Sequence, residues 1–570
     1  MLNKKYLKEM LNFTTNKNKT VKIASILFFQ SLPYLLFYQV ILSLVIDKYM
    51  PNKNLKMVCF LSSILLVIIA IRFAFDYYSQ TRRQNCYYDN DRQIKNKIFS
   101  VIQYANISEL DKMQAGNLFE LTTNQSFNAS QLFVWDFVGI FSVRFRSILM
   151  ISIIMLFVNY KLSLIIIGIF IFSYIILLPF YNTNMKNYKM TLKSIINLQE
   201  KINEYIESYS TTKTLRLEEI NMEEINFILK KSKENYLKTY KILALHTSLF
   251  SLITFFAVII TLIIGGNEII MGIGVASTIM LLIDYISDIN DHMQSLLNHA
   301  HSIRGKYNTF LKILKMSSIT KENDNGTKDI DKIKSIEFKN VKMSYDKENI
   351  ILENINLKIE KTMTIAIVGK SGSGKTTLVN LIPRFYELMD GKILINNINY
   401  KEYKLDELRK NISFVFQEPV ILNMSIKDNL MYGLNIEFED VKKVCIKLGL
   451  DNKIMSLPNG YDTIINAKTD LLSFGEKQLL SYARAILKNG DIVILDEVTS
   501  NLDMKFEQNI IKANKTLLKG KITFIIAHRL NTIKEADLII YIENKHIEEI
   551  GTHEELLKLN GKYSKLFMTK

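Results

Sequence analysis

Ile365-Ala-Ile-Val-Gly-Lys-Ser-Gly-Ser-Gly-Lys-Thr-Thr377 is the stretch that decides how the second half of this chain folds. Strand-like residues Ile365–Val368 lead into Gly369-Lys-Ser-Gly-Ser-Gly-Lys-Thr376, which meets the G-x-x-x-x-G-K-[ST] pattern at every required position. The pattern has a physical reason. Glycines let successive backbone N–H groups turn inward around phosphate oxygens, and the following helix adds its positive end. Gly369, Ser371, Gly372, Ser373, Gly374, Lys375, Thr376 and Thr377 therefore form the expected phosphate-binding set. Lys375 is expected to reach the β- and γ-phosphates, and the Thr376 hydroxyl to ligate Mg²⁺. A strand before the loop and an apolar helix after it separate this match from chance.

A second apolar run, Ile492-Val-Ile-Leu-Asp-Glu497, ends in two carboxylates. Such a run reads as a parallel strand buried on both faces, with its acids at the C-terminal end where ligands bind. Asp496 is expected to hold Mg²⁺ and Glu497 to polarise an attacking water. The competing reading is an acidic pair that merely caps a strand.

Working outward from this pair, the first half reads quite differently. A membrane span needs about 20 predominantly apolar residues. Six stretches qualify: Val21–Ile46, Met57–Tyr77, Val138–Val158, Leu162–Tyr181, Ile242–Ile264 and Ile269–Ile289. The first is too long for a signal peptide and has no small-residue cleavage site after it, so it reads as a retained helix. Lys4, Lys5, Lys8, Lys17 and Lys19 precede it, and Arg82, Arg83, Arg92, Lys95 and Lys97 follow the second stretch. Both segments are cytoplasmic by the positive-inside rule, although lysines in 47–56 weaken the bias. Outer connections at Asn159–Lys161 and Gly265–Glu268 are short. Inner ones, 78–137 and 182–241, have helical periodicity and read as extensions of the membrane helices, turning near Met113–Leu121 and Ser208–Lys213.

The expected architecture is thus a membrane α-helical bundle of six transmembrane helices followed by a C-terminal α/β P-loop NTPase domain. Residues 1–316 form the membrane part, 317–334 a polar linker and 335–570 the nucleotide-binding domain. With 570 residues the chain exceeds what one hydrophobic core supports. The net charge of +16 does not mark a nucleic-acid binder, because the lysines are scattered rather than gathered on one element. Cys59, Cys86 and Cys445 are too few and too far apart for a disulfide framework or a metal site.

Further motifs give the chain a resemblance to ATP-binding-cassette (ABC) exporters. Leu472-Ser-Phe-Gly-Glu-Lys-Gln478 resembles the family's signature sequence and lies between the phosphate loop and Asp496. Gln417 in Phe416-Gln-Glu-Pro resembles the Q-loop glutamine, Ser500-Asn-Leu-Asp503 the D-loop, and His528 in Ala-His-Arg the switch histidine. Tyr345, about thirty residues before Lys375, resembles the aromatic that stacks on adenine. The resemblance covers Ser335–Lys570 without large gaps, and the six-span pattern extends it over the whole chain. It implies a half-transporter in the cell membrane, nucleotide-binding domain in the cytoplasm, that works as a dimer with a second ABC half-transporter. Two cassettes close head to tail, so Ser473 and Gly475 serve ATP held by the partner. His528 contacts the γ-phosphate, and Gln417 senses both Mg²⁺ and the membrane helices. ATP binds the closed state better, which shifts the population toward an outward-open cavity.

Departures from the family pattern matter here. The signature usually reads Leu-Ser-Gly-Gly-Gln, but Phe474 stands third and Glu476 fifth. A Phe crowds a place where backbone meets phosphate, and a Glu adds like charge. Upstream, Asn466-Ala-Lys-Thr469 replaces the expected Gly-Glu-Arg-Gly. In heterodimeric exporters one subunit keeps the catalytic Glu but has a deviant signature, so a heterodimer is favoured over a homodimer. Neutral drift is the alternative, since Ser473 and Gly475 remain.

The cargo is less legible. Asp284, Asp288 and Asp291 share one face of the last membrane helix and would favour a cation if they line the cavity. A structural latch to Arg144 and Arg146 is the favoured reading, with Arg72 and Asp76 a similar pair. His246, His292, His299 and His301 show no metal-ligand pattern. The expected activity is ATP-driven export of a peptide, drug or other amphiphile. A lipid flippase and a non-transporting regulatory ATP-binding subunit are the alternatives. An importer is disfavoured, because importer cassettes are usually separate chains. No peptidase-like Cys/His domain precedes the first span, so leader processing is not expected.

Overall fold

A computed structural model of the chain describes residues 37, 39–113, 115–346, 348–360, 362–466, 471–496, 517–527 and 533–568. It divides into two compact units. One comprises Met1–Gln103 with Ala115–Ser318, the other Tyr104–Gln114 with Ile319–Lys570.

Long helices make up the first unit: α1 (Leu55–Tyr104), α2 (Arg146–Val158), α3 (Tyr160–Glu207), α4 (Glu218–Ile270) and α5 (Ala276–Ser317). At 50 residues, α1 is roughly 75 Å long, more than twice a bilayer's hydrocarbon thickness. Between α2 and α3 the chain reverses at Asn159, whose extended backbone breaks the helix and whose side chain caps α3 by accepting the Leu162 N–H. Ile151, Met155, Leu162, Ile166, Phe250, Ala257, Leu282, Tyr285 and Ile286 interlock as an apolar core.

Among the described residues, Leu55–Tyr104 and Glu218–Ile270 are long and apolar enough to cross a membrane, and Tyr160–Ile176 is a shorter apolar helix. Most of the expected first span, Val21–Ile46, lies outside the described residues. The last outer turn needs correcting. Gly265–Glu268 is not a loop but helix, because α4 runs on to Ile270 and the chain turns at 271–275. Gly265 serves close packing instead: a Cβ there would sit 2.9 Å from Ile279. Gly272, at φ +74°, makes the turn. The first inner turn also comes earlier than expected. α1 ends at Tyr104, and a single helical turn, Ile107–Leu110, is capped by Asn106 accepting the Ser108 N–H.

Two larger sheets, with a short two-stranded one of Met424–Ser425 and Ile464–Ile465, build the second unit among the described residues. An antiparallel sheet of order β2-β1-β4-β5 comprises β1 (Ile336–Ser344), β2 (Ile350–Ile359), β4 (Asp390–Ile395) and β5 (Ile398–Asn399). The larger sheet comprises β3 (Thr364–Val368), β6 (Ile412–Val415), β7 (Ile492–Asp496), β8 (Ile522–Ile526), β9 (Leu538–Glu543) and β10 (His546–Gly551). Its order is β10-β9-β3-β8-β7-β6, all parallel except β10. β7 and β8 are buried at every position, which is why both read as unbroken apolar runs. Separate apolar cores, one around Ile365, Ile367, Leu378 and Phe524 and the other around Ala366, Leu480, Tyr482 and Ile539, take alternate residues of β3.

Residues 319–333 join the second unit as an ordered strap. Arg409 donates two bonds to the Glu322 carboxylate, at 2.8 and 2.7 Å. Arg384 donates to the Asn323 carbonyl, and Leu405 N–H to the Asp324 carboxylate. Gly326 lies so close to Tyr403 that a Cβ would overlap its carbonyl.

Candidate functional site

Strand register assembles the site. In the parallel ladder Ile367 pairs with Ile526, and Ile526 pairs with Asp496. The phosphate loop after β3, Ala527 after β8 and the acid ending β7 therefore lie at one edge of the sheet, successive strands about 4.8 Å apart. β6 adds the fourth part. Val415 pairs with Leu495, so Phe416 and Gln417 emerge beside Asp496. Ligands bind outside the carboxyl ends of such strands.

The phosphate loop is closed on itself. Gly374 caps helix α6 (Lys375–Asn380) at φ +98°, where a Cβ would sit 2.8 Å from Leu352. Gly369 presses against the Ile542 carbonyl, leaving 2.2 Å for a Cβ, so a side chain is excluded there. The Lys375 ammonium is buried inside the loop and donates to the carbonyls of Gly369 (3.1 Å) and Lys370 (2.9 Å). Ser373 Oγ is buried with no hydrogen-bond partner, which is costly unless something polar fills the loop. Ser371, Gly372 and Thr376 are exposed on its rim. An unsatisfied hydroxyl, a buried ammonium and glycines that let backbone approach together fit a polyphosphate.

The aromatic side of the site is a chain of contacts. Tyr345 places its hydroxyl 2.9 Å from Thr377 Oγ1. Its ring meets Tyr386 edge to face, centroids 4.8 Å apart. The Tyr386 hydroxyl in turn donates to Asp111 Oδ2 at 2.6 Å. Burial, reinforced by the Asp111 carboxylate, pushes the Tyr386 phenol well above its ordinary value and keeps it a donor.

Helix α7 (Phe474–Lys488) carries the signature residues. Ser473 is its N-cap. Ser473 Oγ accepts the Glu476 N–H at 3.3 Å, and the Glu476 carboxylate accepts the Ser473 N–H at 2.7 Å, a complete capping box. Gly475 is buried, whereas Phe474 is 48% exposed. Gln478 ties α7 to the strand edge by donating to the Phe416 carbonyl, next to Gln417. Arg484 donates to the carbonyls of Asn429 and Val420 and to Asn429 Oδ1.

Of the expected site, Glu497, Asp503 and His528 lie outside the described residues. The register nonetheless pairs Asp496, the last residue of β7, with Ile526, the last of β8, and Ala527 follows it by donating its N–H to the Ile367 carbonyl. Asp496 is buried, and Gln417 is exposed.

Sequence reading missed Tyr386 and Asp111, and it gave Gln478 and Arg484 no contact of their own, since all four act through tertiary contacts that no local pattern announces. It also passed over Asp136 in the first unit, which accepts from His299 (3.0 Å), Ser302 (3.2 Å) and Lys306 (2.9 Å). Nearby, the Arg83 guanidinium lies 4.0 Å from the Trp135 ring centroid. Arg144, one of the two arginines of the expected latch, bonds His292 Nδ1 at 3.1 Å. Arg72 and Asp76 do pair, at 3.8 Å.

Residues 352–500 match the family model described as ABC transporter, and residues 23–289 match ABC transporter transmembrane region. The chain is 30% identical over 93% of its length, and 93% of the relative's, to "Uncharacterized ABC transporter ATP-binding protein YwjA" of Bacillus subtilis. It is 30% identical, over 88% of its length and 89% of the relative's, to "Putative multidrug export ATP-binding/permease protein YgaD" of the same species. A Staphylococcus aureus protein with the same descriptive name is also 30% identical, over 87% of this chain and 86% of its own. With a transmembrane region and a nucleotide-binding cassette in one chain, this protein belongs to the ABC transporters, as an ATP-hydrolysing half-transporter of the exporter type.

Proposed function

We propose that this chain exports amphiphilic molecules across the cytoplasmic membrane by alternating access, as one half of a dimer whose cassettes face the cytoplasm. The observation that carries the reading is the parallel register that gathers Gly369, Asp496, Ala527 and Phe416 at one sheet edge. A phosphate loop and a buried acid at that edge are what phosphoryl transfer needs, because its chemistry is mostly positioning and charge stabilisation. Six membrane spans complete the proposal, the first of them beginning near Val21. Drugs are the substrate class to test first, since two relatives are named for multidrug export.

Lys375, Ser373 and the loop N–H groups hold the phosphates of ATP, and Tyr345 receives the adenine. Thr376 and Asp496 are hard oxygen donors suited to Mg²⁺, which when bound neutralises charge on the β- and γ-oxygens. Glu497 orients the attacking water, His528 contacts the γ-phosphate, Gln417 senses Mg²⁺ and the membrane helices, and Asp503 belongs to the nucleotide-binding set. Ser473 and Gly475 cap ATP bound to the partner. A heterodimer is favoured, because Phe474 and Glu476 weaken this chain's capping surface while its own acids are kept.

Reconstitution into liposomes tests the reading. Expected are Mg-dependent ATP hydrolysis, drug accumulation driven by ATP on the cassette side, and loss of turnover with retained ATP in Glu497→Gln. Undiminished hydrolysis in Glu497→Gln would refute its role. Full activity from the purified chain alone would replace the heterodimer by a homodimer.

A further inference from the structure

The contact chain Asp111–Tyr386–Tyr345–Thr377 connects three segments far apart in sequence, and no motif accounts for its middle member. Its first link is a short, charge-assisted hydrogen bond, its second an edge-to-face ring contact, its third a hydroxyl pair on the phosphate-loop helix. Tyr345 is thereby held at two points, through its ring and through its hydroxyl, while 40% of its surface stays open. An aromatic platform held this way loses little rotamer freedom when a base stacks on it, so more of the stacking energy appears as affinity.

Asp111 is itself held in place. Ala105 bridges Lys321, Asn106 N–H donates to the Thr320 carbonyl, and Glu322 N–H donates to the Tyr104 carbonyl. Glu322 is gripped on its other side by Arg409. The segment bearing Asp111 is thus stitched to the strap and belongs to the cassette's unit, although Tyr104 is also the last residue of α1.

We propose that Tyr386 is a positioning residue for the nucleotide base, set by Asp111, and that base occupancy is thereby linked to the 104–114 segment. The proposal rests on the reading of Tyr345 as the adenine platform. It adds a base-side link separate from any signal through Gln417 and the γ-phosphate. Because binding linkage is reciprocal, whatever displaces Asp111 weakens base binding, and base binding holds Asp111 in place.

The test uses the full-length chain with magnesium chelated, so that no turnover occurs. Binding of radiolabelled ATP is measured, and inorganic tripolyphosphate, which has no base, is measured by displacement. Tyr386→Phe removes only the hydroxyl, Asp111→Asn only the charge, and Tyr345→Ala the platform. Expected is a loss of about three- to tenfold in ATP affinity for Tyr386→Phe and Asp111→Asn, with tripolyphosphate unchanged within about twofold. An equal loss for both ligands would mean general damage to the loop and overturn the proposal. Unchanged ATP affinity in both variants, with Tyr345→Ala weakened, would overturn it while sparing the platform. Unchanged ATP affinity in Tyr345→Ala would remove the platform, and the proposal with it.

Discussion

Glu476 caps the same residue that caps it: its carboxylate accepts the Ser473 N–H while the Ser473 hydroxyl accepts the Glu476 N–H. That exchange gives a physical reason for one departure from the usual signature. A carboxylate in the first turn of α7 satisfies an orphan donor and complements the helix dipole. It also carries a negative charge to the place where a partner's ATP is proposed to dock.

Two substitutions separate those effects. Glu476→Gln keeps an oxygen for the Ser473 N–H and removes the charge, so the cassette's thermal midpoint should hardly move. Removing a unit charge that faces the γ-phosphate favours closure by about 0.5–2 kcal/mol, seen as a lower KM for ATP. Glu476→Ala loses the cap as well and should cost about 1 kcal/mol of stability. If Glu476→Gln leaves KM unchanged, the charge does not face nucleotide.

Lys375 gives a second prediction. Its ammonium rests on the Gly369 and Lys370 carbonyls, so the loop holds a buried charge ready for phosphate. Lys375→Met should weaken ATP by about ten- to a hundredfold, the worth of one charge-assisted contact. Lys375→Arg should not restore it, since the loop encloses a compact ammonium. Equilibrium binding without magnesium provides the check, and wild-type affinity in Lys375→Met would exclude the phosphate role.

The phosphate loop was legible in the sequence because its glycines and lysine act within one short segment, and β7 because burial on both faces leaves an unbroken apolar run. The register joining β3, β8 and β7 was not, since parallel neighbours are separated by long crossovers. Gly265-Gly266 misled for a different reason. Paired glycines signal a turn when exposed, but Gly265 is buried against Ile279, and tight packing there offsets its poor helix propensity. Asp111 and Tyr386 lie 275 residues apart, so only the folded chain brings them together. The strap at 319–333 looked like a polar linker because only Ile330 and Ile333 enter the core, and the rest of its hold is made of ion pairs and backbone bonds.

Cys445 yields a prediction about pH. Burial pushes its thiol up to about 11, partly opposed by a hydrogen bond with Tyr461. A group whose folded value is raised contributes stability that is complete below its unfolded value and lost as pH rises through the folded one. The window is therefore from about 9 to about 11. At pH 9 an ordinary thiol is about half ionised, whereas Cys445 stays mostly protonated. Maleimide should leave Cys445 unmodified in the folded protein at pH 7 and 9 and label it fully in urea. Mass spectrometry of the peptide containing Cys445 reads this directly, and rapid labelling of the folded protein would mean that this part of the cassette opens.

Asp136 gives the last prediction, in the first unit. Its side chain, 4% exposed, accepts from His299, Ser302 and Lys306. Burial pushes this carboxyl up, but the bonds from His299 and Lys306 outweigh burial and hold it below its ordinary value. The stability it contributes is therefore present at neutral pH and lost only as acid carries the pH below about 4, through the folded value. Asp136→Asn keeps the shape and leaves the Lys306 ammonium without its carboxylate, at a cost of about 1–3 kcal/mol. Adding Lys306→Met to that variant should recover part of the loss, because the unpaired charge goes with it. Thermal midpoints of the four proteins in one detergent, at pH 7 and pH 5, provide the cycle. Equal midpoints for wild type and Asp136→Asn at both values would show that the cluster does not stabilise the helices, and an additive double variant would show that Asp136 and Lys306 act independently.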